Sequence, residues 1–323
     1  MALPELAERW SGSVREVTIG ATPEQGGTRR RTLTIGGAKG LPFLGFDGET
    51  GHRPAVAIEV WDTGGADWPE PLKDAYGEAI EDVVEWARKA EQLGADAICL
   101  RLMGAHPDAG DRSGPQCAET VRAVLQAVGV PLIVWGCGAE EKDNKVMPAV
   151  SAAAKGENCL LGTATEKNYR TLVAVCLADQ HKLIAESPLD INIAKQVNIL
   201  CRDAGFALED IVIFPTTGAL GYGIDYVYSI QERGRIAGLG GDVLLAQPVL
   251  CDVGFEAWRA KEAKAPPFAG VTDATREQWG VMWEAATATV LLQTGAELLV
   301  MRHPQAIQRV RETIDRLMPA AAL

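Results

Sequence analysis

LEDIVIFPTTGALGYGIDYVYSIQERGRI, residues 208–236, contains the unit from which the fold follows. Ile211-Val212-Ile213-Phe214 is a short apolar, β-branched run that suits a strand buried on both faces. Pro215 ends it, since proline cannot donate to a sheet ladder. Thr216-Thr217-Gly218-Ala219-Leu220-Gly221-Tyr222-Gly223 follows as a loop of glycines and hydroxyls. From Ile224 apolar residues return at helical spacing (Val227, Tyr228, Ile230), and Arg233 and Arg235 bring positive charge to the carboxyl end, where a helix favours it. The unit is strand, loop, helix, with the loop at the carboxyl end of its strand.

The same unit recurs along the chain. Apolar runs predict strands over 56–61, 95–102, 131–135, 158–163, 182–186, 211–214, 242–247 and 296–301. Helical spacing predicts helices over 73–93, 116–128, 140–154, 168–178, 189–204, 224–236, 276–294 and 305–317. Gly94, Gly129, Gly156 and Gly295 stand where helices must stop before the next strand. Eight alternations over about 260 residues predict an α/β protein with a closed (β/α)8 TIM barrel over residues 55–323. An open doubly wound sheet usually has fewer units. Residues 1–54 stand apart as an N-terminal extension. Alternating runs at 14–19 and 31–35, bent at Gly26-Gly27, predict a β-hairpin that either closes the barrel floor or offers a partner surface. The connection over 248–275 is long and carries its own helical patch at 255–262, which places a functional loop over the mouth.

Composition narrows the function. A net charge of −12 opposes nucleic-acid binding. No run approaches the ~18 apolar residues of a membrane span, and the start MALPELAERW lacks the pattern of a secretory signal. The expected location is the cytoplasm. Seven cysteines are scattered singly with no CxxC pair, so neither a zinc nor an iron–sulfur site is expected on this chain. Cys137, in a Gly136-Cys137-Gly138 turn, is the one placed to face a ligand.

In a barrel, chemistry sits at the strand exits. These are Glu59 and Asp62; Arg101, Met103, Gly104 and His106; Trp135 and Cys137; Thr163 and Thr165; Glu186 and Ser187; Thr216 and Thr217; Gln247; and Arg302 and His303. Lys182 lies at the wrong end of its strand for Schiff-base chemistry. His106, Asp62 and His303 come from neighbouring strands, but each histidine precedes a proline, and His303-Pro304 reads as a helix start, so no metal site is expected. The Gly218–Gly223 loop has no P-loop or GxGxxG spacing and no completing lysine. A rim rich in hydroxyls, amides and glycines suits hydrogen bonding to a neutral polar ligand more than bond-breaking.

Several segments jointly carry a family resemblance: Gly20-Ala21-Thr22 with Gly26-Gly27-Thr28-Arg29, Leu41-Pro42-Phe43, Ser187-Pro188-Leu189-Asp190-Ile191-Asn192, Leu220-Gly221-Tyr222-Gly223-Ile224, residues 256–262 and Met301-Arg302-His303-Pro304. Together they resemble the small (delta-type) subunit of the corrinoid iron–sulfur protein of the acetyl-CoA decarbonylase-synthase complex. The resemblance implies a subunit that is not independently catalytic, paired as a heterodimer with a large corrinoid iron–sulfur subunit that carries a [4Fe-4S] cluster. The shared cofactor is a corrinoid (cobalamin), whose cobalt accepts a methyl group from methyltetrahydrofolate through a methyltransferase and passes it to acetyl-CoA synthase in anaerobic carbon fixation. The barrel mouth would cover the corrin ring. Its expected cofactor-binding residues are Met103, Cys137, Thr163, Thr216, Thr217, Gly221, Tyr222, Gln247 and Arg302. Residues 1–54 are expected to contribute to the large-subunit contact.

The barrel also resembles pterin-dependent methyltransferases, which gives the alternative of a methyltetrahydrofolate-binding enzyme. That family places an acidic residue where Phe214 stands and asparagine where Thr163 stands. Both departures weaken direct folate binding. A purely structural scaffold with an empty mouth is the third reading.

Overall fold

The computed structural model describes residues 8–264 and 272–318. The chain opens with a two-stranded antiparallel ribbon, β1 (Glu16–Ile19) and β2 (Leu33–Gly36). Eight parallel strands follow: β3 (Ala55–Trp61), β4 (Ala97–Arg101), β5 (Leu132–Trp135), β6 (Leu160–Ala164), β7 (Lys182–Glu186), β8 (Ile211–Phe214), β9 (Val249–Asp252) and β10 (Ala296–Met301). They close into a barrel in the order β10, β3, β4, β5, β6, β7, β8, β9. Helices α1 (Glu70–Tyr76) and α2 (Val83–Gln92) follow the first barrel strand, then α3 (Gly114–Ala127), α4 (Glu140–Ala153), α5 (Tyr169–Asp179), α6 (Ile191–Asp203) and α7 (Ile224–Leu239) follow in turn. After β9 come α8 (Val253–Ala257), α9 (Lys261–Lys264) and α10 (Asp273–Leu292), and α11 (Pro304–Leu317) follows β10. The ring is sealed where β10 pairs with β3, Leu298 opposite Ala55.

Because side chains alternate along a strand, every second residue points into the barrel. Ala57, Cys99, Ile133, Ile184, Val212, Leu250 and Leu298 make one buried inner cluster, separate from the larger cluster between strands and helices. The amino-terminal ribbon adds Val17, Ile19 and Ile35 to that inner cluster. It plugs the barrel floor, the first of the two roles open to it from the sequence. Arg29, fully buried, fastens it through Glu157 at 2.8 Å and the Val128 carbonyl at 2.6 Å.

Two expected elements are corrected. The seventh barrel strand is not 242–247 but β9, which starts only after Pro248. Gly240 and Gly241 turn the chain out of α7, Asp242 bonds Lys195 at 2.6 Å, and residues 242–247 form a turn packed on the helix end. Pro248 has no N–H to give a ladder, but its carbonyl accepts from Ile213 at 2.9 Å, so pairing begins there. The expected helix over 73–93 is broken. Gly77 takes φ 60, a 3-10 turn spans Gly77–Glu81, and Asp82 starts α2 by accepting from the amides of Val84 and Glu85.

Gly238 shows how tightly that turn is packed, since a Cβ there would lie 2.6 Å from the Leu245 carbonyl oxygen. One turn earlier in the same helix, Gly234 has open space around it. Gly238→Ala is therefore expected to lower stability by about 1–3 kcal/mol, and Gly234→Ala to raise it by about 1 kcal/mol. Opposite shifts in denaturant midpoint would bear this out; shifts of the same sign would refute it.

Candidate functional site

Alternation along the strands sets the floor of the barrel mouth. The last inward positions carry Glu59, Arg101, Trp135, Glu186, Phe214, Asp252 and Arg302 in place of the aliphatic residues below them. Glu59, fully buried, is shared by two arginines: Arg101 Nε donates to Oε1 at 2.5 Å and Arg302 Nε to Oε2 at 2.6 Å. The Trp61 indole adds a third donor at 2.8 Å. Burial alone would raise the Glu59 pKa, but Arg101 and Arg302 hold it well below the usual carboxylate range. Arg101 also donates from Nη2 to Asp252 Oδ2 at 2.6 Å. There burial outweighs the pull of Arg101, and the Asp252 pKa is raised.

Aromatic faces complete the floor. The Arg101 guanidinium carbon lies 4.5 Å from the Trp135 ring centre and 4.7 Å from that of Phe255. Arg302 lies 4.3 Å from the Trp68 ring centre. Such stacking leaves a guanidinium's edge free for carboxylates. Behind the barrel, buried Glu284 of α10 accepts from the Trp258 indole at 2.8 Å and from the Arg302 and His303 amides at 2.6 and 3.0 Å. Burial pushes its pKa up to about 7 against those donors. The carboxyl ties the α8 segment to the exit of β10.

Above this floor is a cavity of about 280 Å³, bounded by Arg101, Met103, Trp135, Cys137, Thr163, Glu186, Phe214, Thr216, Asp252 and Phe255. A second hollow of about 360 Å³ adjoins it and shares Glu140, Thr165, Glu186 and Thr216. Thr163 donates its hydroxyl to Glu186, whose pKa burial raises. Thr216 holds φ 57 while its hydroxyl donates to the Ser187 carbonyl at 2.6 Å. Asp143 fixes the loop after β5 by accepting from the Cys137 and Gly138 amides at 2.8 and 3.1 Å. Burial pushes the Cys137 thiol up to about 12, so it stays protonated.

Of the residues singled out from sequence, Met103, Cys137, Thr163 and Thr216 meet at the cavity. The other five lie elsewhere. Thr217 is beneath the wall, its hydroxyl accepting from the Asp252 amide at 2.8 Å. Gly221 packs beside Trp283, and Tyr222 is half exposed with its hydroxyl on Glu262 at 2.7 Å. Gln247 belongs to the turn before β9, at the barrel's opposite end, and donates to the Val243 carbonyl at 2.9 Å. Arg302 is buried in the floor with Glu59. His303 starts α11, its ring nitrogen accepting from the Gln305 amide at 3.2 Å. Among the described residues no three His, Cys, Asp or Glu side chains converge as a metal-binding group. All seven cysteines are buried and free.

Asp252 is the residue the sequence reading missed. With the strand placed after Pro248, alternation from inward Leu250 would have pointed to it.

The barrel has the same fold as dihydropteroate synthases. Dihydropteroate synthase from Thermus thermophilus superposes with a TM-score of 0.55 at 17% identity, over 93% of this chain and 98% of that one. A dihydropteroate synthase from Coxiella burnetii, solved with pteroic acid, gives 0.55 at 14% identity, over 82% and 92%. At those identities the likeness is one of fold. Sequence narrows it: the family model for the CO dehydrogenase/acetyl-CoA synthase delta subunit matches residues 16–314. The chain is 35% identical over 306 residues to the acetyl-CoA decarbonylase/synthase complex subunit delta of Methanopyrus kandleri, covering 94% of this chain and 75% of that one. It is 34% identical over 316 residues to the corresponding subunit of Archaeoglobus fulgidus, covering 96% and 70%. The chain belongs to the CO dehydrogenase/acetyl-CoA synthase delta subunit family.

The floor network has a stability consequence. Glu59→Gln leaves two buried arginines short of their shared anion and is expected to cost about 3–5 kcal/mol at neutral pH. Because the Glu59 pKa is lowered on folding, its contribution is complete above the ordinary carboxylate range and is lost as pH falls through the lowered value. Denaturant unfolding should therefore show the gap between wild type and Glu59→Gln closing as the solution is acidified. A gap independent of pH would contradict the ionised role of Glu59.

Proposed function

We propose that this chain is the barrel subunit of a two-subunit methyl carrier, and that its mouth covers a corrinoid held by a large corrinoid iron–sulfur subunit. The observation that carries the reading is the form of the mouth. Two adjoining shallow hollows of about 280 and 360 Å³ are too small to enclose a macrocycle but wide enough to receive its side arms. Phe255 and Met103 offer apolar surface to a ring face, and Thr216 and Glu186 offer hydrogen bonds to peripheral amides. These residues fit the group. When bound, the corrinoid supplies a cobalt that carries the methyl group. The chain's own residues orient its arms and keep water from it. In this reading the methyl arrives from methyltetrahydrofolate through a separate methyltransferase and leaves to acetyl-CoA synthase, the [4Fe-4S] cluster is the partner's, and the complex works in the cytoplasm of an anaerobe. Among the described residues no helix is long and apolar enough to cross a membrane.

A second reading, direct methyltetrahydrofolate binding, draws on the fold and on a cavity sized for one small heterocycle. Two features oppose it. Phe214 is turned edge-on to Trp135 at 5.0 Å, and the Thr163 hydroxyl is given to Glu186.

Purification of the chain alone and with the large subunit separates the readings. Corrinoid absorbance retained only in the pair is the expected result. Methyltetrahydrofolate bound by the chain alone, with no corrinoid in the pair, would replace it with the second reading.

A further inference from the structure

The threonine hydroxyls that line the mouth all give their hydrogens back to the protein. Thr163 donates to Glu186, Thr165 to Glu140 Oε1 at 2.9 Å, and Thr216 to the Ser187 carbonyl at 2.6 Å. A hydroxyl has one hydrogen to give, so each of the three presents an incoming group with lone pairs alone. The charged donors are spent as well. Arg101 gives Nε and Nη2 to Glu59 and Asp252 while Trp135 and Phe255 cover its faces, and Lys167 lies 3.0 Å from Glu140 Oε2. The amides of Cys137 and Gly138 are taken by Asp143.

Glu186 stands among these acceptors. It lines both hollows, is partly exposed, and accepts from the Thr163 hydroxyl, with no ion pair among the described residues. Burial raises its pKa against Thr163 and Arg101, and the charges of Glu140 and Asp143 add to the rise. The wall is therefore rich in acceptors, poor in donors, and carries a carboxylate that no cation contacts.

We propose that the mouth selects ligands edged with N–H donors and excludes carboxylate-edged ones, with Glu186 as the residue that sets the preference. The inference rests on reading the mouth as a cover for a corrinoid. A carboxylate arm brings acceptors only, so it would meet the lone pairs of three hydroxyls and the like charge of Glu186. A primary amide brings two N–H groups that those acceptors can take, and no charge for Glu186 to repel. A wall of this kind discriminates by what it withholds from the wrong group.

Two corrinoids with the same ring test it: aquocobinamide, whose arms end in amides, and aquocobyrinic acid, in which the arms are carboxylates. Each is loaded into the complex with the large subunit, and its loss during dialysis is followed by absorbance at fixed ionic strength and about pH 8, where carboxyls are most fully ionised. The amide-armed probe should be retained at least about tenfold longer. Glu186→Gln keeps the shape, removes the charge and adds a donor, so the ratio of the two lifetimes should fall about tenfold. The large subunit is unchanged between those samples, which assigns the difference to this chain. Glu166→Gln removes an exposed carboxylate of the same hollow and should leave the ratio as it is. Circular dichroism checks that both variants are folded. The large subunit alone, which lacks this wall, supplies a comparison that needs no variant, and its ratio should be the smaller.

Equal lifetimes in the wild-type complex overturn the selectivity while the cover stands. So does a ratio that Glu186→Gln leaves unchanged, that Glu166→Gln lowers as much, or that the large subunit alone reproduces. If the wild-type complex retains neither probe, the cover falls and the selectivity falls with it.

Discussion

A single carboxylate between two guanidinium groups sets the form of the barrel's upper half. Glu59 accepts from Arg101 and Arg302, each drawn from a strand beside β3, and Arg101 passes the link on to Asp252. Charges this deep persist only when each has a partner, because desolvation otherwise exceeds what any one contact returns. The network therefore fixes the relative positions of four strand ends. It also fixes the aromatic groups around it, since Trp61 donates to the same carboxylate and Trp135 and Phe255 face Arg101.

The α8 segment depends on that floor. Phe255 of α8 sits against both arginines, and Trp258 of the same segment donates to Glu284, which also receives the backbone amides at the β10 exit. The segment beyond β9 is thus anchored from below by a ring and from behind by a carboxyl. The proposed cover would draw on this anchoring, because a wall that moves admits water. The position of Asp252 follows from the same construction. Arg101 holds one of its oxygens, and the other is buried beside the cavity wall.

Much of the barrel was legible in the residues. Runs such as Lys182–Glu186, Ile211–Phe214 and Ala296–Met301 carry their limits in their own composition, and their observed bounds match. The seventh strand did not, because residues 242–247 are as apolar as a strand and lie beside one. What distinguishes them is Pro248 and the contact of that turn with Gly238, the second of which exists only when the chain is folded. The site was legible in part. Met103, Cys137, Thr163 and Thr216 follow strands whose ends were well placed, whereas Gln247 was carried to the wrong end of the barrel with its strand. Gly221 and Tyr222 lie in a loop whose path past Trp283 no local pattern reports.

By itself, then, the sequence determined the repeated strand–helix unit, the closed barrel and the family, because periodicity and local motifs survive without any knowledge of contacts. Only the tertiary structure decided which strand-end side chains converge. Glu59 and Arg302 are 243 residues apart, and they meet because β10 returns to lie against β3. Ring closure turns alternate residues of separated strands into neighbours, and the pairing of buried charge then selects which of them form the floor of the mouth.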